Sequence, residues 1–224
     1  MRLVSLGGLQ LEPDAYPRPK LLLLLCYLAL EGGRSREHLR TLFWPQATDA
    51  SASLRVALAQ LRADLPGVLQ FTDSLVSTDL GCDAVSLLEA FEAGDLARTV
   101  ALYRGAFLDG ASTAEWGLEL EEWVLTTREF LAARVVEAHL RLAEEAQAFA
   151  ETAVAEDHAI AARNLPGAAL AEPDTLLRLH DLFVGIGHPL ASDLRREADD
   201  LGLSLQRRTA PLTSIVAPHN LPAS

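Results

Sequence analysis

Apolar residues recur along most of this chain at the spacing of buried strands and amphipathic helices. Leu21–Leu30 is an unbroken apolar run, which predicts a buried helix over Lys20–Leu30 that ends at Gly32-Gly33. Before it, Met1–Glu12 places leucines on both sides of Gly7-Gly8, which predicts one or two short strands around a glycine turn. The chain therefore begins with strand structure and continues with a helix of the core.

Two more helices are predicted next, on either side of Pro45. Ser35 suits the N-cap of the first of them, and either Asp49 or Ser51 suits the N-cap of the second. The second has an inward face at helical spacing, formed by Leu54, Leu58, Leu61 and Leu65. Its opposite face carries Arg55, Ala59 and Arg62. This is a helix pair whose second member presents arginines to solvent.

A hairpin is predicted directly after this helix pair. Val68–Thr72 and Leu75–Thr78 are strand-like segments, and Asp73-Ser74 lies between them as the turn. A helix pair followed by a hairpin is the arrangement of a winged helix-turn-helix, in which the hairpin is the wing. We therefore predict a winged helix-turn-helix domain over residues 1–80.

The remainder of the chain has a helical pattern almost throughout. Helices are predicted for Asp83–Ala93, from Gly94-Asp95 to Tyr103, and for Glu115–Gln147, Glu151–Asn164, Asp174–Val184 and Pro189–Leu201. Helix pairs of this length and linkage are typical of tetratricopeptide-like hairpins. We predict a mainly α protein with an all-helical domain over 81–206 and a flexible tail over 207–224 that is rich in Pro, Ser and Thr.

The charge of the chain is divided unevenly. The formal net charge is -12, yet residues 1–80 hold eight Lys or Arg and eight Asp or Glu. All of the excess acidity therefore belongs to residues 81–224, and the N-terminal part is free to approach phosphate. The run Leu21–Leu30 is too short to span a bilayer. With only two cysteines, Cys26 and Cys82, we expect a cytoplasmic protein in a reducing compartment, a disulfide being the alternative.

Several short motifs occur in an order and spacing that resemble one family. They are Leu6-Gly7-Gly8-Leu9, Arg18-Pro19-Lys20-Leu21-Leu22, Leu28-Ala29-Leu30-Glu31-Gly32-Gly33, Ser35-Arg36-Glu37-His38-Leu39, Phe43-Trp44-Pro45, Ser53-Leu54-Arg55-Val56-Ala57-Leu58, Leu102-Tyr103-Arg104-Gly105-Ala106-Phe107-Leu108 and Glu122-Trp123 followed by Arg128-Glu129. The chain resembles the bacterial transcriptional activator domain proteins, the class that includes antibiotic-pathway activators (SARP regulators). The resemblance implies binding to direct repeats in double-stranded DNA near promoters, and recruitment of RNA polymerase.

The candidate DNA-binding residues follow from the winged-helix prediction. On the predicted recognition helix they are Ser51, Ser53, Arg55, Gln60 and Arg62, of which Arg55 and Arg62 are the strongest because arginine binds a guanine edge with two hydrogen bonds. Arg36 and Arg40 on the preceding helix are expected to contact the DNA backbone, as are Thr72 and Ser74 on the wing. Each arginine could also be an ordinary solvated residue of a helix surface.

The sequence holds no motif of a known catalytic, metal or cofactor site. It lacks a phosphate-binding Gly-x-x-x-x-Gly-Lys-Ser/Thr loop, His-Glu-x-x-His, Cys-x-x-Cys and Gly-x-Ser-x-Gly, so we expect no enzyme, no metal and no cofactor. The leading hypothesis is a DNA-binding transcription regulator, an activator, whose acidic helical domain binds RNA polymerase, a second copy as a homodimer, or a signalling protein. The alternative is a protein-interaction scaffold with a degenerate winged helix that no longer binds DNA; an enzyme with an unrecognised helical site is a weaker rival.

Overall fold

The computed structural model describes residues 1–111, 116–169 and 172–202. The strands are β1 (Arg2–Val4), β2 (Gln10–Glu12), β3 (Arg34–Ser35), β4 (Gln70–Phe71), β5 (Leu75–Ser77) and β6 (Gly81–Cys82). The helices are α1 (Pro19–Glu31), α2 (Arg36–Phe43), α3 (Ala50–Asp64), α4 (Asp83–Glu92), α5 (Leu96–Leu102), α6 (Leu118–Ala148), α7 (Thr152–Arg163), α8 (Pro173–Ile186) and α9 (Leu190–Asp200). The fold is therefore mainly helical, as predicted, with small sheets. The tail predicted over 207–224 lies outside the described residues.

The strands form two small three-stranded sheets near the N-terminus. In the first, β1 lies between antiparallel β2 and parallel β6, with Leu3 opposite both Leu11 and Cys82. In the second, β5 lies between β3 and β4, and the β4–β5 pair is the predicted hairpin. Because β6 follows the hairpin and returns to β1, the first sheet joins the start of the chain to residues that directly precede α4.

The helix pair predicted around Pro45 is present, and its caps explain its limits. Ser35 accepts a hydrogen bond from the backbone N–H of His38 at the start of α2. Asp49, rather than Ser51, caps α3, because its carboxylate accepts from the N–H of Ala52 at 2.7 Å. α1 buries every residue from Leu21 to Leu28, which confirms the prediction of a core helix.

Two hydrophobic cores fill the described part of the molecule, and α6 belongs to both. The first core gathers residues from Leu3 to Val135, including most of α1 and the inward faces of α2 and α3. The second core lies among α6, α7, α8 and α9 and begins on α6 at Leu140. The N-terminal half of α6 therefore packs against the region of the predicted winged helix, and its C-terminal half against the last helices. Within the described ranges, no helix combines the length and the apolar character needed to cross a bilayer.

α4 begins at Asp83, as predicted, but this residue is not its N-cap. Cys82 occupies the cap position, and Asp83 is the first helical residue. Its buried carboxylate accepts from the backbone N–H groups of Ser5 and Leu6, and from the Ser5 hydroxyl at 2.6 Å. Asp83 therefore makes tertiary contacts with the end of β1. A local capping pattern cannot predict such contacts.

Candidate nucleic-acid interface

The five residues predicted to form the reading surface of α3 lie on two flanks of that helix. Ser51, Arg55 and Arg62 line a cleft toward α2, whereas Ser53 and Gln60 line a groove on the other side of α3. At 100° per residue, Ser53 and Gln60 point about 140–180° away from the arginine positions. The structure therefore brings together only part of the predicted set on each side.

The cleft between α2 and α3, which we call the arginine cleft, has a volume of about 570 Å³. Arg36 and Arg40 enter it from α2, and Arg55 and Arg62 enter it from α3, so all four predicted arginines line one space. Phe71 of β4 closes one side. The guanidinium carbons of Arg62 and Arg36 lie 4.9 and 5.7 Å from its ring centre, which holds both cations in place.

The arginine cleft is cationic. Among the described residues, Arg36, Arg55 and Arg62 form no ion pair within 4.0 Å, and Arg40 has only a long 3.7 Å contact with the exposed Glu37. Exposed guanidinium groups that are not paired with a carboxylate can bind phosphate oxygens or the edge of a guanine. The cleft thus has the chemistry of an anion-binding surface, although the chain as a whole is acidic.

The groove on the other flank of α3, which we call the tryptophan groove, adds two cations that sequence analysis missed. It has a volume of about 640 Å³ and places Arg18 and Lys20 beside Ser53, Gln60 and two tryptophans, Trp44 and Trp116. The Lys20 ammonium lies 5.1 Å from the centre of the Trp44 ring. Arg18 and Lys20 flank Pro19 in the sequence, but only the fold shows that the start of α1 lies next to α3.

The two residues predicted for the wing, Thr72 and Ser74, line neither space. Thr72 is exposed, and its hydroxyl accepts from the N–H of Leu75 within the hairpin turn. Ser74 is exposed at the turn, next to the acidic Asp73. Neither residue lines the arginine cleft, so only Phe71 connects the hairpin to it.

The centre of the exposed face of α3, between its two flanks, is small and apolar. Val56 is 62% exposed, and Ala59 and Ala63 are exposed beside it. These side chains offer no hydrogen bond to a base edge, although a thymine methyl group could pack against them. The polar side chains on the exposed surface of α3 therefore lie on its flanks.

A cysteine pair and a histidine pair lie away from α3. A hydrogen bond from Cys26 lowers the pKa of Cys82 to about 7, and both thiols are free and buried, so the alternative of a disulfide is not realised. His139 and His158 face each other with 2.9 Å between their Nδ1 atoms, and burial followed by the charge of His158 lowers the pKa of His139 to about 4. In the part of the chain that the structure describes, no three His, Cys, Asp or Glu side chains are grouped to hold a metal ion.

No protein-family model matches the chain, and no curated protein is significantly similar to it.

Proposed function

We propose that the protein is a regulator of transcription that binds double-stranded DNA through α2, α3 and the β4–β5 hairpin, arranged as a winged helix-turn-helix. The observation that carries the proposal is the arginine cleft, where four arginines from two helices line one space. Arg36 and Arg40 bind phosphates, and Arg55 and Arg62 read base edges. Arg18 and Lys20 bind the backbone on the far side of α3, so the duplex contacts both flanks.

In this proposal, the helical region that makes up the rest of the chain is the activator region. Its helix pairs form a tetratricopeptide-like body that binds RNA polymerase or a second copy of the chain in the cytoplasm. All of the net negative charge resides in residues 81–224, and repulsion from phosphate keeps this part away from the duplex.

The experiment is a fluorescence-anisotropy titration of the full chain. The probe is the duplex upstream of its own gene, a scrambled duplex is the competitor, and the salt concentration is varied. Tighter binding to the native duplex, with affinity falling as salt rises, supports a DNA-reading regulator. Affinity that shows neither preference nor salt dependence overturns the proposal.

Two single variants distinguish the recognition of base edges from the binding of phosphates. Arg55→Ala is expected to weaken the free energy of binding to the native duplex by about 1–3 kcal/mol and that to the scrambled duplex by little. Arg36→Ala is expected to weaken both duplexes alike and to make the slope of log affinity against log salt shallower by about one. Arg98→Gln, an exposed residue of α5, serves as the matched charge control. Native affinity in Arg55→Ala would remove α3 from the reading role.

A second candidate function is a protein-interaction scaffold that does not bind DNA. The observation that favours it is the apolar centre of the exposed face of α3, where Val56 stands open to solvent. Such a face suits a protein partner better than base edges. Val56→Asp is expected to abolish capture of that partner while leaving the fold intact, whereas Arg55→Ala would leave capture unchanged.

A further inference from the structure

The β4–β5 hairpin borders the arginine cleft through an aromatic side chain, Phe71 of β4. Arg62 comes from the last turn of α3, and Arg36 is the first residue of α2. Their guanidinium carbons lie 4.9 and 5.7 Å from the centre of the Phe71 ring, within the range of cation–π contacts. One ring therefore contacts a cation from each of the two helices that form the cleft.

The second sheet fixes the position of this ring relative to α2. Phe71 pairs with Val76 of β5, and Val76 pairs on its other side with Arg34 of β3. β3 ends at Ser35, and α2 begins at the next residue, Arg36. Val76 is fully buried, and Phe71 is half-buried against the first core. The hairpin thereby sets the distance between the aromatic ring and the first arginine of the cleft.

The stability of the fold does not explain why two cations lie beside one ring. Arg36 and Arg62 are exposed, and among the described residues neither forms an ion pair within 4.0 Å. Like charges beside the same ring repel each other, and the dipole of α2 disfavours a cation at its N-terminus, where Arg36 lies. An anion bound in the cleft would relieve both effects. The arrangement therefore suits binding of an anion better than stabilisation of the free chain.

We propose that Phe71 is a positioning residue for DNA binding, whose ring holds Arg36 and Arg62 in the orientation in which they meet the duplex. This inference rests on the proposed function and adds to it the part played by the hairpin. An arginine side chain that becomes ordered only on binding lowers the affinity by about two- to tenfold. The ring removes this cost for both arginines before the duplex binds.

The test is the anisotropy titration of the full chain with the native and the scrambled duplex. Phe71→Leu keeps an apolar side chain but removes the aromatic face. We expect it to weaken binding to the native duplex about tenfold, since both arginines are released, and binding to the scrambled duplex about threefold, since Arg36 alone acts there. Phe71→Tyr keeps the ring and should bind as the unchanged chain does. Phe149→Leu, at an exposed position after α6, is the matched control.

A double-mutant cycle distinguishes positioning from packing. In a chain that carries Arg36→Gln and Arg62→Gln, Phe71→Leu should cause no further loss, because the ring has no cation left to hold. This comparison is made at low salt, where affinity for the duplex is highest. A ring that only supports the hairpin would weaken binding in that background as well.

Three results would overturn the inference: unchanged affinity in Phe71→Leu, an equal loss in Phe71→Tyr, or a further loss from Phe71→Leu in the chain that lacks both arginines. Circular-dichroism melts of the Phe71 variants check that the fold is retained. If the unchanged chain binds neither duplex, the proposed function and this inference both fail. If it binds and Phe71→Leu binds equally well, this inference alone fails.

Discussion

At the scale of single residues, the most connected polar group described is the carboxylate of Asp83. It binds two backbone N–H groups and one hydroxyl at the end of β1, and also the N–H of Ala84 at the start of its own helix. Hydrogen bonds that satisfy several buried donors at once fix a local geometry more strongly than any one of them alone. Asp83 therefore ties the first sheet to α4, where residues distant in sequence meet.

The histidine pair between α6 and α7 predicts that the stability of the fold decreases as the pH falls. Burial and the neighbouring His158 lower the pKa of His139 from 6.5 to about 4. The unfolded chain therefore takes up this proton first, and the stabilisation present above pH 6.5 is lost as the pH falls toward 4. His139→Gln keeps a hydrogen-bonding group for His158 and removes the titration.

The measurement is urea unfolding at pH 7.5, 6, 5 and 4.5 for both proteins. We expect the free energy of unfolding of the unchanged chain to fall more steeply below pH 6.5 than that of His139→Gln, by on the order of 1 kcal/mol after allowance for solvent screening. Parallel curves for the two proteins would mean that His139 titrates alike in the folded and unfolded chain.

At the scale of elements, α3 begins where one side chain satisfies its first free N–H groups. The sequence left Asp49 and Ser51 as alternative caps, and the hydrogen bond to Ala52 assigns the role to Asp49. Asp49→Ala is expected to lower the free energy of unfolding by about 1 kcal/mol, and Ser51→Ala by a few tenths at most. Chemical denaturation of the two variants checks this; an equal loss in both would contradict the assignment.

The elements themselves were largely predictable, because apolar spacing and turn residues are local properties. The core run in α1, the cap at Ser35 and the hairpin around Asp73-Ser74 were all predicted from short windows. Helical periodicity also separates Ser53 and Gln60 from Arg55, although the sequence analysis grouped the three residues because they lie on one predicted helix. Which flank meets α2 and which meets the start of α1 depends on packing between helices that are distant in sequence.

At the scale of the whole molecule, the first core crosses the boundary predicted at residue 80. Trp123 of α6 lies edge-on to Tyr27 of α1, with 4.9 Å between ring centres, and its indole N–H donates to Glu31. Leu120, Val124 and Leu131 of α6 are buried in the same core. The N-terminal region therefore completes its interior with residues supplied by the helical part.

This sharing predicts that residues 1–80 do not fold alone. The fragment lacks β6 and α6, and so exposes leucines that the full chain buries. We expect a broad, non-cooperative thermal melt and strong binding of a hydrophobic dye, while the full chain melts in one transition that includes the N-terminal region. A sharp melt of the fragment with native-like circular dichroism would instead establish residues 1–80 as an autonomous domain.

The long helix α6 has a consequence for how this protein can change over evolutionary time. Its 31 residues rise about 46 Å, and its buried members of the first core end at Val135, shortly before those of the second begin at Leu140. One residue inserted between these points would turn everything beyond it by about 100° and swing Leu140 away from its neighbours. By comparison, substitutions on the solvent side of α6 change the free energy of unfolding little. The solvent-facing residues of α6 can therefore be replaced during evolution, whereas the number of residues between its two ends must stay constant.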